Sequence, residues 1–158
     1  MQEYHVDIVD GENEYYNTVV KYGWIYILWK WADENNIHEE KATYPDYPLK
    51  NNYRGIPRNK DILKSLEYLD LSDFGLNKIP EEIVGLSNLI SLNLSDNNLE
   101  YLPESIIHFE RLESLYVCNN NLHEIDEQLG LLNNLRRIDL TGNYLTNITK
   151  EIQDKIVG

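Results

Sequence analysis

Side chains able to do acid–base, nucleophilic or metal chemistry are sparse in this chain of 158 residues. The histidines stand apart, without a spacing typical of metal ligands, at His5, His38, His108 and His123. The single cysteine, Cys118, is followed by two asparagines, which supply no positive charge to favour a reactive thiolate. There is no glycine-rich phosphate loop and no nucleophile beside a base. The sequence therefore predicts that the protein is not an enzyme.

A calcium site is the one metal site that the carboxylates suggest. Asp70, Asn93 and Asp96 could contact an ion if the fold brought them together. Calcium takes about six to eight oxygen ligands, which three side chains from neighbouring units do not supply. We therefore predict no metal site.

The second part of the chain, which carries these residues, repeats itself every 23 residues. Each copy begins with the spacing Leu-x-x-Leu-x-Leu. The aligned triplets are Leu66, Leu69 and Leu71; Leu89, Leu92 and Leu94; Leu112, Leu115 and Val117; and Leu135, Ile138 and Leu140. A fixed period of this length indicates a repeat architecture, in which each coil buries its apolar face against its neighbours.

A further position follows each triplet by three residues and holds Phe74, Asn97, Asn120 and Asn143. An asparagine buried at a sharp bend can satisfy backbone groups that the turn leaves without partners. A phenylalanine cannot make those hydrogen bonds. We therefore expect the Phe74 ring to pack beneath the N-terminal segment.

The chain resembles the leucine-rich repeat family, specifically the short type common in bacterial proteins, with LNLSDNNLEYLPESI at residues 92–106 as the clearest copy. The resemblance covers about two-thirds of the chain. It implies an α/β solenoid, a right-handed superhelix with a parallel sheet on its concave side. It also implies that there is no cofactor and no intrinsic catalysis, and that the usual ligand is a protein.

Residues 1–60 are predicted to form an N-terminal helical cap, because they hold all three tryptophans and eight of the twelve tyrosines. A helix from about Glu14 to Asn35 would lay an apolar stripe on the first coil, made of Tyr16, Val20, Trp24, Ile27, Leu28 and Trp31. Tyr22, Ile25 and Tyr26 fall on other faces. Either residues 37–50 wrap around the cap or an apolar patch stays exposed.

Both ends of the repeat region carry weaker signals. Residues 51–57 match residues 97–103 at twice the period, so we expect the cap to end in a degenerate half repeat. About four coils then occupy residues 61–158, and Ile148, Ile152 and Ile156 predict a short C-terminal helical cap. A thin cap leaves two possibilities open: the chain pairs as a homodimer through this end, or it is a fragment of a longer protein.

The predicted binding surface follows from the alternation within each strand, which points residues beside the buried leucines toward the concave face. The predicted partner-binding residues are Tyr68, Asp70, Ser72, Asp73, Ser91, Asn93, Ser95, Asp96, Ser114, Tyr116, Cys118, Asn119, Arg137, Asp139 and Thr141. Tyr68 and Tyr116 are the expected anchors, because tyrosine combines a large contact area with a hydrogen-bonding tip.

Charge narrows the class of partner. The whole chain has a net charge of −13, and residues 61–158 hold 17 acidic and 7 basic residues, which gives −10. Such a surface repels phosphates and attracts basic or amphipathic proteins, so we predict a protein partner and no nucleic acid. The longest apolar stretch, residues 24–31, is too short to span a membrane. The start lacks the features of a secretory signal, so we expect a cytoplasmic protein, with secretion by a signal-less route left open.

Three functions are compatible with these observations. The first is a protein-interaction module that binds its partner through an acidic concave face. The second is an immunity protein whose acidic face neutralises a basic toxin. The third is a structural module that associates with itself through its C-terminal end or its aromatic cap.

Overall fold

The computed structural model describes residues 12–41 and 52–156, with side chains described for residues 23–40 and 53–156. Its main element is a six-stranded sheet whose strands lie in chain order. The strands are β1 (Glu40–Lys41), β2 (Asn52–Arg54), β3 (Tyr68–Asp70), β4 (Ser91–Asn93), β5 (Ser114–Tyr116) and β6 (Arg137–Asp139). Strands β2 to β6 are parallel, and β1 pairs antiparallel with β2. The predicted parallel sheet of a solenoid is therefore confirmed.

Helical segments precede, connect and follow the strands, and the 3-10 helices of neighbouring coils contact one another. They are the long helix α1 (Glu12–Glu34), α2 (Lys60–Lys64), the 3-10 helices η1 (Glu81–Gly85), η2 (Glu104–His108) and η3 (Glu127–Leu131), and α3 (Lys150–Gln153). We number coils 1 to 4 by the strands β3 to β6. Within the described part of the chain, no helix has the length and apolar character needed to cross a bilayer.

The register of the strands reproduces the 23-residue period. The central residues Leu69, Leu92, Leu115 and Ile138 pair with one another across β3 to β6 and are at most 2% exposed. The residues on either side of them are at least partly exposed. A period of two along each strand thus sends one residue into the core and two toward the outward side of the sheet.

The buried asparagines hold the turns together, as predicted. Asn97 accepts a hydrogen bond from the Leu76 amide at 2.9 Å and donates to the carbonyls of Leu71 and Leu94 at 2.8 and 2.9 Å. Asn120 and Asn143 repeat this pattern one and two coils later. Because each amide bonds to its own coil and the preceding one, this asparagine ladder fixes the stacking of coils as well as the turn.

Phe74 interrupts the asparagine ladder in coil 1, and its ring lies against the N-terminal segment as predicted. The guanidinium carbon of Arg54, on β2, lies 4.7 Å from the centre of the ring. The backbone amide of Phe74 instead donates to Asn97 of the next coil, at 3.2 Å. The turn of coil 1 therefore has a hydrogen-bond acceptor from coil 2, although its own ladder position holds a phenylalanine.

The register that we predicted for the half repeat is wrong. The match of residues 51–57 to residues 97–103 makes Tyr53 equivalent to Leu99, two periods later. Leu76 is the equivalent residue of the coil between them, so Tyr53 would lie beside Leu76. In the structure Tyr53 pairs with Leu69, seven residues earlier than Leu76. Residues 52–54 therefore form a strand and not a turn. The reason is that β3 offers an open edge of backbone donors and acceptors, and pairing satisfies these groups.

Helix α1 agrees with the predicted helix, but its buried face is rotated. Ile25, which we placed off the stripe, is 4% exposed, whereas Ile27, which we placed on it, is 41% exposed. Leu28 and Trp31 are buried as expected, and the Trp24 ring lies over Gly85 of η1. The buried face is rotated because α1 contacts residues after β2 as well as η1, as in the bond from the Trp29 indole to the Pro57 carbonyl at 2.8 Å.

Several predictions about the cap fall on positions outside the described residues. They concern the side chains of Tyr16, Val20 and Tyr22, and the wrapping of the cap by residues 42–50. The division of the chain into residues 1–60 and 61–158 stays a prediction.

The C-terminal segment covers part of the last coil. Ile152 of α3 is fully buried, and a carbon added at Gly130 of η3 would lie 2.8 Å from the Glu151 side chain. Ile156 pairs with Ile138 of β6, and the Ile138 amide donates to the Lys155 carbonyl at 2.9 Å. The Lys155 ammonium donates to the carbonyls of Leu132 and Leu135 at 3.2 and 2.7 Å. These contacts shield the centre of β6, while Leu131 remains 67% exposed.

Glu81 links coils 1 and 2 on the helical side. Its carboxylate accepts hydrogen bonds from the backbone amides of Glu104 and Ser105, at 3.1 and 2.8 Å, and so caps the start of η2. Partial burial raises the pKa of Glu81, but the hydrogen bonds from Ser105 and Glu104 outweigh this effect. The pKa of the carboxyl group therefore lies below its usual value of 4.5.

We predict that Glu81→Gln lowers the free energy of unfolding by at most about 1 kcal/mol near neutral pH, because the group is largely exposed. A lowered folded-state pKa means that the ionised carboxylate stabilises the fold above the unfolded-state pKa and stops doing so as the pH falls through the folded-state value. The difference between wild type and Glu81→Gln should therefore shrink below pH 4.5. Urea unfolding over this range measures it. Glu82→Gln is the matched control, and an equal pH dependence in that variant would contradict the assignment.

Candidate interaction surface

The outward side of the parallel sheet, which we call the sheet face, carries the predicted binding residues in rows. The strand register aligns Tyr68, Ser91, Ser114 and Arg137 as a first row. It aligns Asp70, Asn93, Tyr116 and Asp139 as a second row. All eight side chains are partly or fully exposed. The structure thus brings them together on one continuous surface.

Most of the second row has a structural role that explains its residue types. Asp70 accepts hydrogen bonds from the Ser72 amide at 2.9 Å and the Ser72 hydroxyl at 2.6 Å. Asn93 accepts from the Ser95 amide at 3.0 Å, and Asp139 accepts from the amide and hydroxyl of Thr141 at 3.0 and 2.7 Å. Short acidic and amide side chains stabilise a turn in this way. These oxygens are therefore partly committed to the fold.

Tyr116 departs from this pattern. It occupies the same register position, between Asn93 and Asp139. Its hydroxyl stands at the far end of the ring and cannot accept a hydrogen bond from the backbone amide two residues later in the chain. The ring is half-buried in a row where the other coils use a turn-forming side chain. The fold gives no reason for an aromatic residue at this position, which makes Tyr116 the strongest binding candidate in the row.

A third row lies in the turns and has its own backbone requirement. Asp73, Asp96 and Asn119 adopt φ values of 56°, 57° and 54°, and Gly142 occupies the equivalent place at 69°. Aspartate and asparagine tolerate this left-handed conformation better than other residues that carry a side chain. Asn119 also donates to the Asp96 carboxylate at 2.8 Å. The residue types thus follow from the turn, while the side chains of Asp73 and Asp96 remain exposed to a partner.

Ser95 does not belong to this surface, which corrects the prediction. Ser95 is 5% exposed, and its carbonyl accepts hydrogen bonds from the Asp73 amide and the Asn97 side chain. The strand ends at Asn93, so the alternation used to place Ser95 no longer holds there. Ser72 and Cys118 at the equivalent position are partly exposed, and Thr141 is exposed.

Arg54 is a residue of the sheet face that the sequence analysis missed. The pairing of β2 with β3 places it beside Asp70, with 3.9 Å between the charged groups, and its guanidinium also donates to the Ser72 hydroxyl at 3.3 Å. The sheet face therefore has an arginine at each end, Arg54 and Arg137. The match of residues 51–57 to residues 97–103 did not indicate a strand at Arg54.

The Asp70 carboxylate, one of the three groups considered as calcium ligands, pairs with the Arg54 guanidinium. The residues that the structure describes contain no cluster of three histidine, cysteine or acidic side chains placed to hold a metal. Cys118 is a half-buried free thiol, and the exposed His123 stacks on Tyr144, with 5.4 Å between ring centres.

Comparisons with known proteins agree with this architecture. A family model described as a leucine-rich repeat region matches residues 58–154. Among solved structures, an LRR protein of Leptospira interrogans is similar, with a TM-score of 0.55 and 34% sequence identity. The match covers 63% of this chain and spans about a quarter, 26%, of the length of that one. No curated protein matches.

The family match extends over more than half of the chain and includes all four coils. Leucine-rich repeat domains generally mediate protein–protein interaction and are typically not enzymes. The turn asparagines, the parallel strands and the 23-residue register are the features that this chain shares with them. The chain belongs to the leucine-rich repeat family.

Proposed function

We propose that this protein is a non-catalytic interaction module that binds a partner protein through its sheet face. The observation that carries the proposal is Tyr116, an aromatic side chain at a position where three other coils have a turn-forming aspartate or asparagine. Tyrosine and arginine are enriched among the residues that dominate binding energy at protein interfaces. Tyr68 and Arg137, in the first row, offer further contacts of this kind.

Charge supports a basic or amphipathic partner. The exposed carboxylates Asp73 and Asp96 line the turn edge of the sheet face, and the repeat region has a net charge of −10 from 17 acidic and 7 basic residues. Opposite charges accelerate encounter and disfavour wrong partners. Because Arg54 neutralises Asp70, we place the acidic part of the surface along the turn row.

The test compares partner capture by two matched triple variants. The sheet-face variant combines Tyr68→Ala, Asp96→Asn and Tyr116→Ala. Asparagine replaces Asp96 because it tolerates the positive φ and can still accept the bond from Asn119. The control combines Tyr26→Ala, Glu110→Gln and Tyr144→Ala, which makes similar changes at exposed positions outside the three rows.

We predict that quantitative pull-down from lysate of the source organism recovers at least about tenfold less of the partner with the sheet-face variant, because the substitutions include two anchor residues. The control variant should capture as much as wild type. Circular dichroism of both variants checks that they remain folded. Equal capture by the two variants would refute binding through the sheet face.

A further inference from the structure

A second concave feature lies between coils 2 and 3, on a part of the surface that shares no residue with the sheet face. It is a groove of about 410 Å³, which we call the inter-coil groove. Its lining includes Tyr101, Leu102, Glu104, Glu124, Ile125 and Asp126. A volume of this size exceeds that of one side chain and suits a short peptide segment.

The base of the inter-coil groove is apolar. Leu102 and Ile125 line the groove and are partly buried, and both pack against the core of the solenoid. Tyr101 also lines the groove, and 52% of its surface is exposed. The groove therefore offers an apolar base and an accessible ring within one volume.

The rim of the inter-coil groove is acidic. Glu104, Glu124 and Asp126 are all exposed, and no lysine or arginine lines the groove. One oxygen of Asp126 accepts a hydrogen bond from the Gln128 amide at 2.8 Å, and the carboxylate retains a second oxygen. Three carboxylates around an apolar base complement a ligand that is apolar along its length and positive at its tip.

The combination of an exposed tyrosine with three carboxylates occurs only between coils 2 and 3 among the four coils. One period earlier, Lys78 occupies the place of Tyr101, and Glu81 in the place of Glu104 uses its carboxylate to cap η2. One period later, Asn147 and Thr149 replace Glu124 and Asp126. The repeat architecture therefore does not require an aromatic and acidic groove, and the neighbouring pairs of coils lack it.

We propose that the inter-coil groove binds an arginine side chain presented by an extended segment of a partner protein. The aliphatic part of arginine would pack on Leu102 and Ile125, while the guanidinium stacks on the Tyr101 ring and pairs with the carboxylates. Arginine fits better than lysine because a planar guanidinium stacks on a ring and binds carboxylates with two parallel hydrogen bonds. This surface is separate from the proposed sheet-face site.

The experiment is a ¹H–¹⁵N NMR titration of the full chain with the peptide acetyl-Gly-Arg-Gly-amide. The same peptide with glutamine in place of arginine controls for backbone contacts. We expect the arginine peptide to shift the amide signals of residues 101, 102, 104–106 and 124–126 in a saturable manner. The glutamine peptide should leave those signals unchanged.

Two variants separate the groove from the general negative charge of the protein. Glu104→Gln, Glu124→Gln and Asp126→Asn together should weaken binding at these signals by about tenfold, since each partly solvated ion pair contributes modestly. Glu110→Gln, Glu113→Gln and Glu151→Gln together remove the same charge at exposed positions outside the groove and should leave binding there unchanged. The spectra also report whether each variant is folded.

Tyr101→Ala should likewise weaken binding of the arginine peptide, and the sheet-face variant Tyr68→Ala, Asp96→Asn, Tyr116→Ala should leave it intact. Absence of saturable shifts at residues 101, 102, 104–106 and 124–126 would overturn the proposal. Equal weakening by the two sets of charge substitutions would also overturn it, because the peptide would then be sensing net charge alone. Either result is independent of the sheet-face proposal.

Discussion

Asn97→Ala is expected to lower the free energy of unfolding by about 3 to 5 kcal/mol, which is a large part of the stability of a domain of this size. Asn97 is 6% exposed, and its side chain makes five hydrogen bonds to the backbone of coils 1 and 2. Alanine would leave the buried Leu76 amide and Leu71 carbonyl without these partners. An unsatisfied buried polar group costs about 1 to 3 kcal/mol.

Asn98→Ala is the matched control, because the same substitution one residue later affects an exposed side chain. Asn98 donates through its side chain to the Gly75 carbonyl at 3.2 Å. We expect a loss of at most about 1 kcal/mol there. Urea unfolding followed by circular dichroism measures both variants. Similar losses for Asn97→Ala and Asn98→Ala would contradict the role assigned to the asparagine ladder.

Gly55→Ala is expected to lower the free energy of unfolding by about 3 kcal/mol or more, through backbone strain and a steric clash. Gly55 follows β2 with a φ of +76°, and its amide donates to the Asp70 carbonyl at 2.8 Å. A Cβ at this position would overlap the carbonyl oxygen of His38 and lie 2.8 Å from its carbonyl carbon. Backbone atoms cannot move aside as a flexible side chain can, so the segment after α1 would have to shift.

Gly75→Ala is the control that introduces the backbone strain of a left-handed conformation without the steric clash. Gly75 has a similar φ of +67°, but the nearest atom to an added Cβ is the Asn98 side-chain nitrogen at 4.0 Å. This variant should lose only about 1 kcal/mol, the cost of a left-handed conformation. All three tryptophans lie in α1, so their fluorescence reports the region that Gly55→Ala disturbs. Equal losses in the two variants would show that the contact between Gly55 and His38 is unimportant.

The repeat period was enough to predict most of the solenoid. Leu69, Leu92, Leu115 and Ile138 are buried and paired because each coil offers the same apolar residue to the next. The turn asparagines were also predictable, since their amide chemistry suits a bend where backbone groups need partners. In both cases a local pattern and the stacking of coils point to the same arrangement.

The parts that the sequence did not predict depend on contacts between distant segments. Residues 52–54 look like a turn when compared with residues 98–100, yet they become a strand because β3 leaves an edge to pair with. Ile25 and Ile27 have the same apolar character, and only the position of α1 against two different segments decides which is buried. Neither outcome is encoded in the local pattern.

The sequence predicted most residues of the sheet face, but it did not predict which of their charges are paired. The alternation of residues identified both rows, and it failed at Ser95 because the strand ends before that residue. Arg54 reaches the face only through the pairing of β2 with β3, and this pairing neutralises Asp70. The importance of Tyr116 became visible only when the hydrogen bonds of Asp70, Asn93 and Asp139 explained the rest of its row.

The most direct test of partner binding through the sheet face is photo-crosslinking from a defined position on the folded protein. A benzophenone-bearing phenylalanine analogue replaces Tyr116 in one variant and the exposed Glu34 of α1 in the other. After irradiation in lysate of the source organism, we predict a crosslinked partner protein from position 116 and none from position 34. Crosslinking of the same protein with equal yield from both positions, or from position 34 alone, would contradict the account.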